Sequence, residues 1–516
     1  MDESSDQYPI LERNYVSFWE RLSNPKYSLH RYIVLCVLCL INLGNYYIYD
    51  NPGALSTEII RDLGVTTSQY TTLYSLYSWP NVILGLFGGY LIDKVIGLRI
   101  GTLVFSSIVC LGQLIFALGA FLNAFPLMQV GRFVFGLGGE NLSVAVNAYA
   151  VSWYKGSELN MAFGLMMSIS RLGSTFNFNT MVPIYNYIQN SYSGYKCLGL
   201  ALLVASLFCF FSLIMGVLMA YFDRRAEKIL KKEPPKAGEE MKFQDILHFG
   251  VDFWMVSGIC VLYYLTIFPF ISLGTIFFLR KFGVTEAKAD QINSSVYTIS
   301  AVISPILGII IDKVGRSIFF VFLGTCVTLL GHSLLAFTFV NPWVGIICLG
   351  LGYSTIACAL WPMIPDIVPE FRLGTAYGVV QCVQNLGLAL ANMAAGQIVD
   401  SLGFLALESF FIISLVLCLI LIIFLFLSNF NKGGLLNISA KKRKQLAEAK
   451  RIADEENQRQ DELMVSPDDG DGPIAVEISG HDESTRRRYH SKIGTQETSS
   501  LEEAQAIRDQ ISGPSY

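Results

Sequence analysis

Apolar and polar residues alternate along this chain in blocks the length of whole helices. Twelve mostly apolar stretches lie at residues 30–50, 67–92, 100–121, 127–153, 159–185, 196–222, 250–279, 289–311, 317–339, 343–366, 373–399 and 404–428, separated by short charged or turn-rich breaks. Each has the roughly 20 residues that carry an α-helix across a bilayer. The pattern predicts an all-α membrane protein of twelve transmembrane helices. The breaks house no soluble domain, and only two polar segments are long: 223–248, whose charges and Glu233-Pro-Pro-Lys read as a helix extension and then a linker, and 429–516. The latter is highly charged, with a helix-like run from Ala440 to about Leu463 and then Gly/Ser/Asp-rich sequence that lacks the apolar residues to fold alone. Residues 1–28 have no basic n-region and no cleavage pattern, so the first span is the expected targeting signal.

The stretches repeat. Gly89-Tyr-Leu-Ile-Asp93-Lys94, continuing to Gly97 and Arg99, matches Gly308-Ile-Ile-Ile-Asp312-Lys313, continuing to Gly315 and Arg316, with one extra residue before the Gly in the first copy. Gly136-Leu-Gly138, Ala162-Phe-Gly164 and Leu172-Gly173 return as Gly350-Leu-Gly352, Ala376-Tyr-Gly378 and Leu386-Gly387, at a constant offset of 214. The fourth and fifth spans therefore correspond to the tenth and eleventh. The domains predicted are a cytosolic tail 1–28, a six-helix bundle 29–222, a linker 223–248, a second bundle 249–428 and a charged, largely disordered cytosolic tail 429–516.

Composition agrees, with 53% hydrophobic and 15% charged residues. The loops joining spans 2–3, 4–5, 6–7, 8–9 and 10–11 carry 13 Lys and Arg against 5 on the opposite face, which puts both termini in the cytosol. Ten of the eleven cysteines lie in or beside spans and only Cys197 starts a span at the far face, so no disulfide framework is expected. Cys36 and Cys39 share an apolar helix with no second ligand pair, so neither a metal nor any other cofactor is expected, and nothing points to nucleic acid. The chain holds no phosphate-cradling Walker sequence, which argues against an ATP-driven pump and against an enzyme of that kind.

The paired Gly-x-x-x-Asp-Lys…Gly…Arg loops and Arg132-x-x-x-Gly136-x-Gly138 resemble the motifs of the major facilitator superfamily over roughly 400 residues. The resemblance implies two six-helix halves that alternate access to a midplane site. It also implies a conformational latch at Gly89, Asp93, Arg99, Gly308, Asp312 and Arg316. Tyr49-Asp-Asn-Pro-Gly-Ala, Tyr77-Ser-Trp-Pro-Asn-Val, Gly131-Arg-Phe-Val-Phe-Gly, Gly138-Gly-Glu140 and Ala359-Leu-Trp-Pro-Met are similar to a lysosomal branch of that superfamily. That likeness implies export of dipeptides to the cytosol without proton coupling, with a glycosylated lysosomal membrane protein as accessory subunit.

An ionisable side chain at bilayer depth is costly and marks function by default. Glu140 lies 13 residues from the cytosolic end of span 4, and Arg171 about 12 residues into span 5. At 1.5 Å per residue both sit roughly 18–20 Å from that face, at one depth. A guanidinium fork holds a carboxylate bidentately and a fixed carboxylate accepts an ammonium. Arg171 is therefore the candidate for the peptide C-terminus and Glu140 for its N-terminus; a structural Glu140–Arg171 salt bridge is the alternative. At the repeat offset their counterparts are Ser354 and Asn385, both uncharged. Trp361, Asn385, Tyr264, Tyr297, Tyr74 and Asn81 complete the candidate substrate site. Tyr46, Trp79, Asn177, Gln381 and Gln384 are further cavity candidates.

Arg132 is expected to pack within its half, His332 to be a hydrogen-bonded structural residue, and Asp50, Asp62, Asp400 and Glu408 to be wetted at far-side helix ends. Spans 7 and 8 show no buried carboxylate between Val251 and Ile311, and no ExxER motif of proton-coupled peptide carriers occurs, so facilitated transport is expected. Tyr8-x-x-Leu11, with Ile10 beside it, forms a sorting pattern for adaptor proteins on the cytosolic tail. Asn141-Leu-Ser and Asn293-Ser-Ser, the glycosylation acceptors noted, lie in or against the membrane, so a bare far face calls for a shielding glycosylated partner. The alternatives are a carrier of another small zwitterion or organic anion, and a non-transporting membrane sensor or scaffold acting through the tail.

Overall fold

The computed structural model describes residues 24–25, 27–154, 157–230, 249–368 and 372–443, with 445–446, 448–449 and 452 beyond them. The sorting pattern at Tyr8, Ile10 and Leu11 lies outside the described residues, as does the linker past Leu230. So do the side chains of Gly89 and Asp93. The chain from Ser439 onward is a unit of its own, helical from Ala440, where the sequence predicts a helix. The account below concerns the unit ending at Ile438.

Among the described residues twelve long helices follow in order: α1 Ser28–Tyr49, α2 Thr67–Tyr90, α3 Leu98–Phe121, α4 Phe125–Trp153, α5 Ser157–Gln189, α6 Tyr195–Leu230, α7 Val251–Phe282, α8 Glu286–Val314, α9 Ser317–Phe337, α10 Pro342–Ala359, α11 Leu373–Leu402 and α12 Phe404–Asn431. Each matches one predicted span to within a few residues, except that α6 runs eight residues past its predicted end and the tenth breaks. There Pro362 turns the end of α10 into a 3-10 helix, Trp361–Asp366, because proline denies the α-helix an N–H and clashes with the preceding turn. Eight of the twelve are apolar enough to span a membrane by composition alone. The other four are α2, α4, α5 and α11, which carry Asn81, Glu140, Arg171 and Asn385. Helices that shield polar groups from lipid need less hydropathy of their own.

The two halves pack alike. In the first, α3 lies on α4 and α6, α2 on α4, and α1 on α5 and α6; in the second, α9 lies on α10 and α12, α8 on α10, and α7 on α11 and α12. The seam between halves is α2 on α11 and α5 on α8, two contacts that exchange under the repeat. The extra residue of the first loop copy also finds its place: Leu91–Ile96 winds as a π-helix, the form that absorbs a one-residue insertion without leaving the helix axis.

Hydrogen bonds seal the seam toward the far face. Tyr70 donates to the Ser272 carbonyl (2.8 Å) and Ser75 to that of Ala389 (2.6 Å), while Thr175 pairs with Thr298 (3.1 Å) and Asn179 donates to Ser294 (3.2 Å). Asp400, exposed as expected, accepts from the Thr67 and Ser68 amides and so caps α2 from the other half, a carboxylate on a helix N-terminus.

Four expectations for acidic residues fail. The Asp62 side chain is only 6% exposed, accepting from Arg61 and from Tyr185 of α5. Asp50 is buried, accepting from Tyr297 across the seam at 3.3 Å, because α1 ends at Tyr49 and the short helix Asn51–Ala54 folds inward. Glu408 is buried against His332, with 2.8 Å between Oε2 and Nδ1; the expectation for His332 holds and supplies the reason for Glu408. Asp290, near the start of α8, is buried and accepts from Thr275 at 2.6 Å, so the eighth helix does carry a buried carboxylate. α8 begins at Glu286, three residues before the predicted start, which brings Asp290 into the packed first turns.

Candidate functional site

Glu140 sits half-buried on α4, two residues past the Gly138 that lets α4 press onto α3, where an added Cβ would stand 2.8 Å from the Phe105 carbonyl oxygen. Its Oε1 accepts from the Tyr77 hydroxyl at 3.2 Å, and its Oε2 from the Gln381 amide of α11, also at 3.2 Å. Arg171 is buried on α5. Its Nη1 donates to the Ser300 carbonyl at 3.3 Å and to the Ser304 hydroxyl of α8, and its guanidinium carbon lies 5.0 Å from the centre of the Tyr353 ring, a cation–π distance.

Both charged residues therefore reach across the seam into the other half. Neither is ion-paired with the other: Glu140 is held by Tyr77 and Gln381 and Arg171 by Ser300 and Ser304, all neutral, so the static salt bridge is absent from this state. Tyr46 of α1 lies within electrostatic reach of Glu140 and Arg171 alike.

An aromatic wall stands on the second half. Trp361 Nε1 donates to Tyr264 Oη at 3.0 Å, Trp361 stacks on Tyr377, and Tyr264 meets Tyr353 edge-on with ring centres 6.3 Å apart. Trp361 and Tyr264 thus belong to the surroundings of Arg171 through Tyr353. The remaining four candidates do not converge there. Asn81 is buried and donates to the Tyr77 and Gly136 carbonyls, tying α2 to α4. Asn385 is buried and donates to Gln381, one turn back on its own helix. Tyr297 bonds Asp50, and Tyr74 faces Arg132 at 5.3 Å from ring centre to guanidinium.

Arg132 itself is buried in a cage of Tyr49, Tyr74, Tyr77 and Phe135 and donates to the Tyr49 and Leu73 carbonyls, the packing role expected of it. Sequence reasoning missed Ser300, Ser304 and Tyr353. The repeat carried a signal for the last: Tyr353 is the counterpart of Gly139, beside Glu140.

The described latch residues have separate surroundings. Arg99 forms ion pairs with Asp223 and Glu227 of α6, inside its own half (both 2.6 Å). Arg316 is exposed on the groove between α9 and α12, and Asp312 is exposed. Nothing lies within 4 Å of a Cβ built on Gly308, so the space for close approach is there and empty of neighbours. The close crossing of α2 and α11 is at Gly85 and Gly378, where a Cβ on Gly378 would stand 3.1 Å from the Gly85 oxygen. The sequons at Asn141 and Asn293 are closed off: Asn141 is buried, and Asn293 is buried with its amide on the Ile271 carbonyl at 2.8 Å.

Comparison with known proteins follows the same lines. The family model of the Major Facilitator Superfamily matches residues 35–279 and 255–459. Proteins named lysosomal dipeptide transporter MFSD1 are similar: that of Danio rerio is 48% identical over 448 residues, covering 86% of this chain and 96% of that protein. That of Homo sapiens is 49% identical over 427 residues, covering 82% and 92%. Among solved structures, tetrameric PepTSo2 aligns with a TM-score of 0.56 at 17% identity, over 78% of this chain and 98% of that one. FucP in its outward conformation aligns at 0.55 and 14%, over 77% and 99%.

Proposed function

The chain belongs to the Major Facilitator Superfamily, and from that premise we propose that it is a lysosomal membrane transporter that moves dipeptides from lumen to cytosol by alternating access, as a uniporter that carries no proton. The relatives named above supply the compartment and the substrate class. The observation that carries the mechanism is the placement of one cation and one anion at the seam, each bonded to the half opposite its own. A dipeptide is a zwitterion with its two charges at fixed separation. Its carboxylate displaces Ser300 and Ser304 from Arg171, its ammonium displaces Gln381 from Glu140, and the contacts holding the halves in this state are exchanged for contacts to substrate. Binding is then coupled to rocking of one half on the other, because substrate and closure compete for the same two side chains. Asn81, Asn385, Tyr74 and Tyr297 serve the frame around the site, and Trp361, Tyr264 and Tyr353 form its wall.

Blocking the peptide ends tests the reading. A dipeptide that raises the melting temperature of the full chain is expected to lose at least about tenfold in affinity when its amine is acetylated, and again when its carboxylate is amidated, since each cap removes a charge-assisted bond of roughly 1.5–3 kcal/mol. Equal stabilisation by capped and free peptides overturns the two-ended clamp and favours another small ligand. The motif at Gly308 gives a second test. Gly308→Val is expected to leave melting of the present state within about 2 °C of wild type, as the site is open here, and to slow transport several-fold because the latched state needs that space. Transport at the wild-type rate excludes close approach at Gly308.

The far-face loops carry no accessible acceptor among the described sequons, which supports an accessory glycoprotein that covers that face. Adaptor proteins that read Tyr8, Ile10 and Leu11 complete the proposed set of partners.

A further inference from the structure

On the far face, between α1 and α2, the short helix Ser56–Leu63 carries Thr57 and Glu58 from the first half against the first turn of α8 from the second. The Thr57 hydroxyl lies 2.8 Å from Glu58 Oε2 and within hydrogen-bond distance of Glu286 Oε1. A hydroxyl has one proton to donate, and an ionised carboxylate only accepts. Thr57 has one proton for two carboxylates, and a proton on either acid gives the second contact a donor of its own. The closed seam is thus saturated with hydrogen bonds when one of the two acids is neutral.

A second observation points the same way. Glu58 is fully buried, and its other oxygen, Oε1, is buried with no partner, a poor setting for a full negative charge and an acceptable one for a shared proton. Burial, and then the neighbouring Glu286, push the Glu58 carboxyl up to about 7. The groups facing the pair are few. On its own short helix, Arg61 acts weakly on Glu58 and is engaged by Asp62 and by Tyr185 of α5. Cys197 stands on α6 within electrostatic reach, Asp290 on α8 adds a further acid, and Thr275 of α7 donates to Asp290. Among the described residues Arg61 is the cation that acts on Glu58, and no three acidic, His or Cys ligands converge to hold a metal ion.

We propose that Glu58 and Glu286 form a proton-binding site shared by the two halves and filled when the far face is closed, so that acid on that side favours closure over the substrate site. Opening separates the acids and returns the proton to the side it came from, so nothing is transported and uniport is preserved. The sign follows from linkage. In the open state Glu58 is solvated and titrates in the ordinary Glu range, whereas burial in the closed state holds its proton to higher pH. Closure is fully favoured below the open-state value, weakens by about tenfold per pH unit as pH rises toward the closed-state value, and is flat above it. That the far face is an acid lumen rests on the proposed function; the proton site itself does not depend on dipeptides.

The test reads the gate without substrate. Fluorophores attached through genetically encoded amino acids at Tyr192 and Phe339, exposed on far-face loops of opposite halves, report gate distance in the full chain in lipid nanodiscs. The open-to-closed ratio is expected to rise at least tenfold from pH 5.0 to pH 7.5. Glu58→Gln and Glu286→Gln, which imitate the neutral acid, are each expected to stay closed at pH 7.5. The half-buried Glu286 provides the variant that folds if replacement of the buried Glu58 does not. Arg171→Ala is expected to lose transport and keep the pH response, so failure of the substrate reading is distinguishable from failure of this one. A gate that ignores pH, or one whose pH curve is the same in wild type and both Gln variants, would overturn the proposal.

Discussion

Arg171→Ala is expected to reduce dipeptide uptake at subsaturating substrate by about 100-fold or more, while the protein remains folded and inserted. The magnitude comes from what the guanidinium replaces. A carboxylate drawn from water into the seam loses its hydration, and removing its partner there costs about 2–5 kcal/mol, with 1.4 kcal/mol corresponding to tenfold. The native neighbours of Arg171 are neutral: Ser300, Ser304 and the Tyr353 ring. Its truncation therefore strands no buried counter-charge, and the fold tolerates it. Arg171→Lys keeps the charge and loses the fork, and is expected to recover part of the loss, leaving about tenfold. A double-mutant cycle with Glu140→Gln separates the two readings of the pair. If the residues hold opposite ends of a ligand they act independently on its affinity, and the losses add. If they formed an ion pair in the working cycle, the second substitution would be nearly free after the first. Uptake by Arg171→Ala at the wild-type rate would remove the clamp.

Glu140 and Arg171 are candidates from the sequence because hydropathy blocks locate a residue along the membrane normal. What they do not locate is the azimuth. Asn81 and Asn385 lie at useful depths on cavity helices, yet each amide turns to a backbone carbonyl, Asn81 to Tyr77 and Gly136 and Asn385 to Gln381. In a medium without water that bond is the default fate of a polar side chain. Polarity alone therefore over-predicts the site.

The acidic residues failed in the other direction. Asp50, Asp290 and Glu408 stand at span ends, where solvent is the simple expectation, and their burial depends on partners distant in sequence: Tyr297, Thr275 and His332. Nothing local announces such a pairing. The repeat was the most informative feature of the chain, since it paired the fourth and fifth spans with the tenth and eleventh, and the two halves do pack alike. Its asymmetry in charge was equally readable. The π-turn at Leu91–Ile96 shows how far sequence comparison carries when a mismatch of one residue is taken as structure.

Gly131→Val and Gly112→Val are expected to be the most damaging single substitutions in the framework. α3 and α4 cross at these two glycines, and the crossing is reciprocal: a Cβ on Gly112 would stand 2.5 Å from the Phe135 amide nitrogen and 2.9 Å from the Gly131 oxygen, and one on Gly131 would stand 2.5 Å from the Phe116 nitrogen and 2.9 Å from the Gly112 oxygen. These neighbours are backbone and have no rotamer to change. Lipid tails are as apolar as the helix surfaces, so helices in a bilayer associate through close packing, and small residues at the crossing are what allow it. Forcing the axes apart loosens α4, and with it the register that sets Glu140 against Gln381 at 3.2 Å. A cost of about 3 kcal/mol or more is expected for either variant, at the upper end of overpacking. It is read as a tenfold or greater loss of monodisperse protein in detergent under conditions where wild type is stable. Gly164→Val is the control. It also lies in a helix of the first half, with nothing within 4 Å of its Cβ, and is expected to behave as wild type. Equal yields from all three variants would show that α3 and α4 do not cross at Gly112 and Gly131, and would withdraw the packing that positions Glu140.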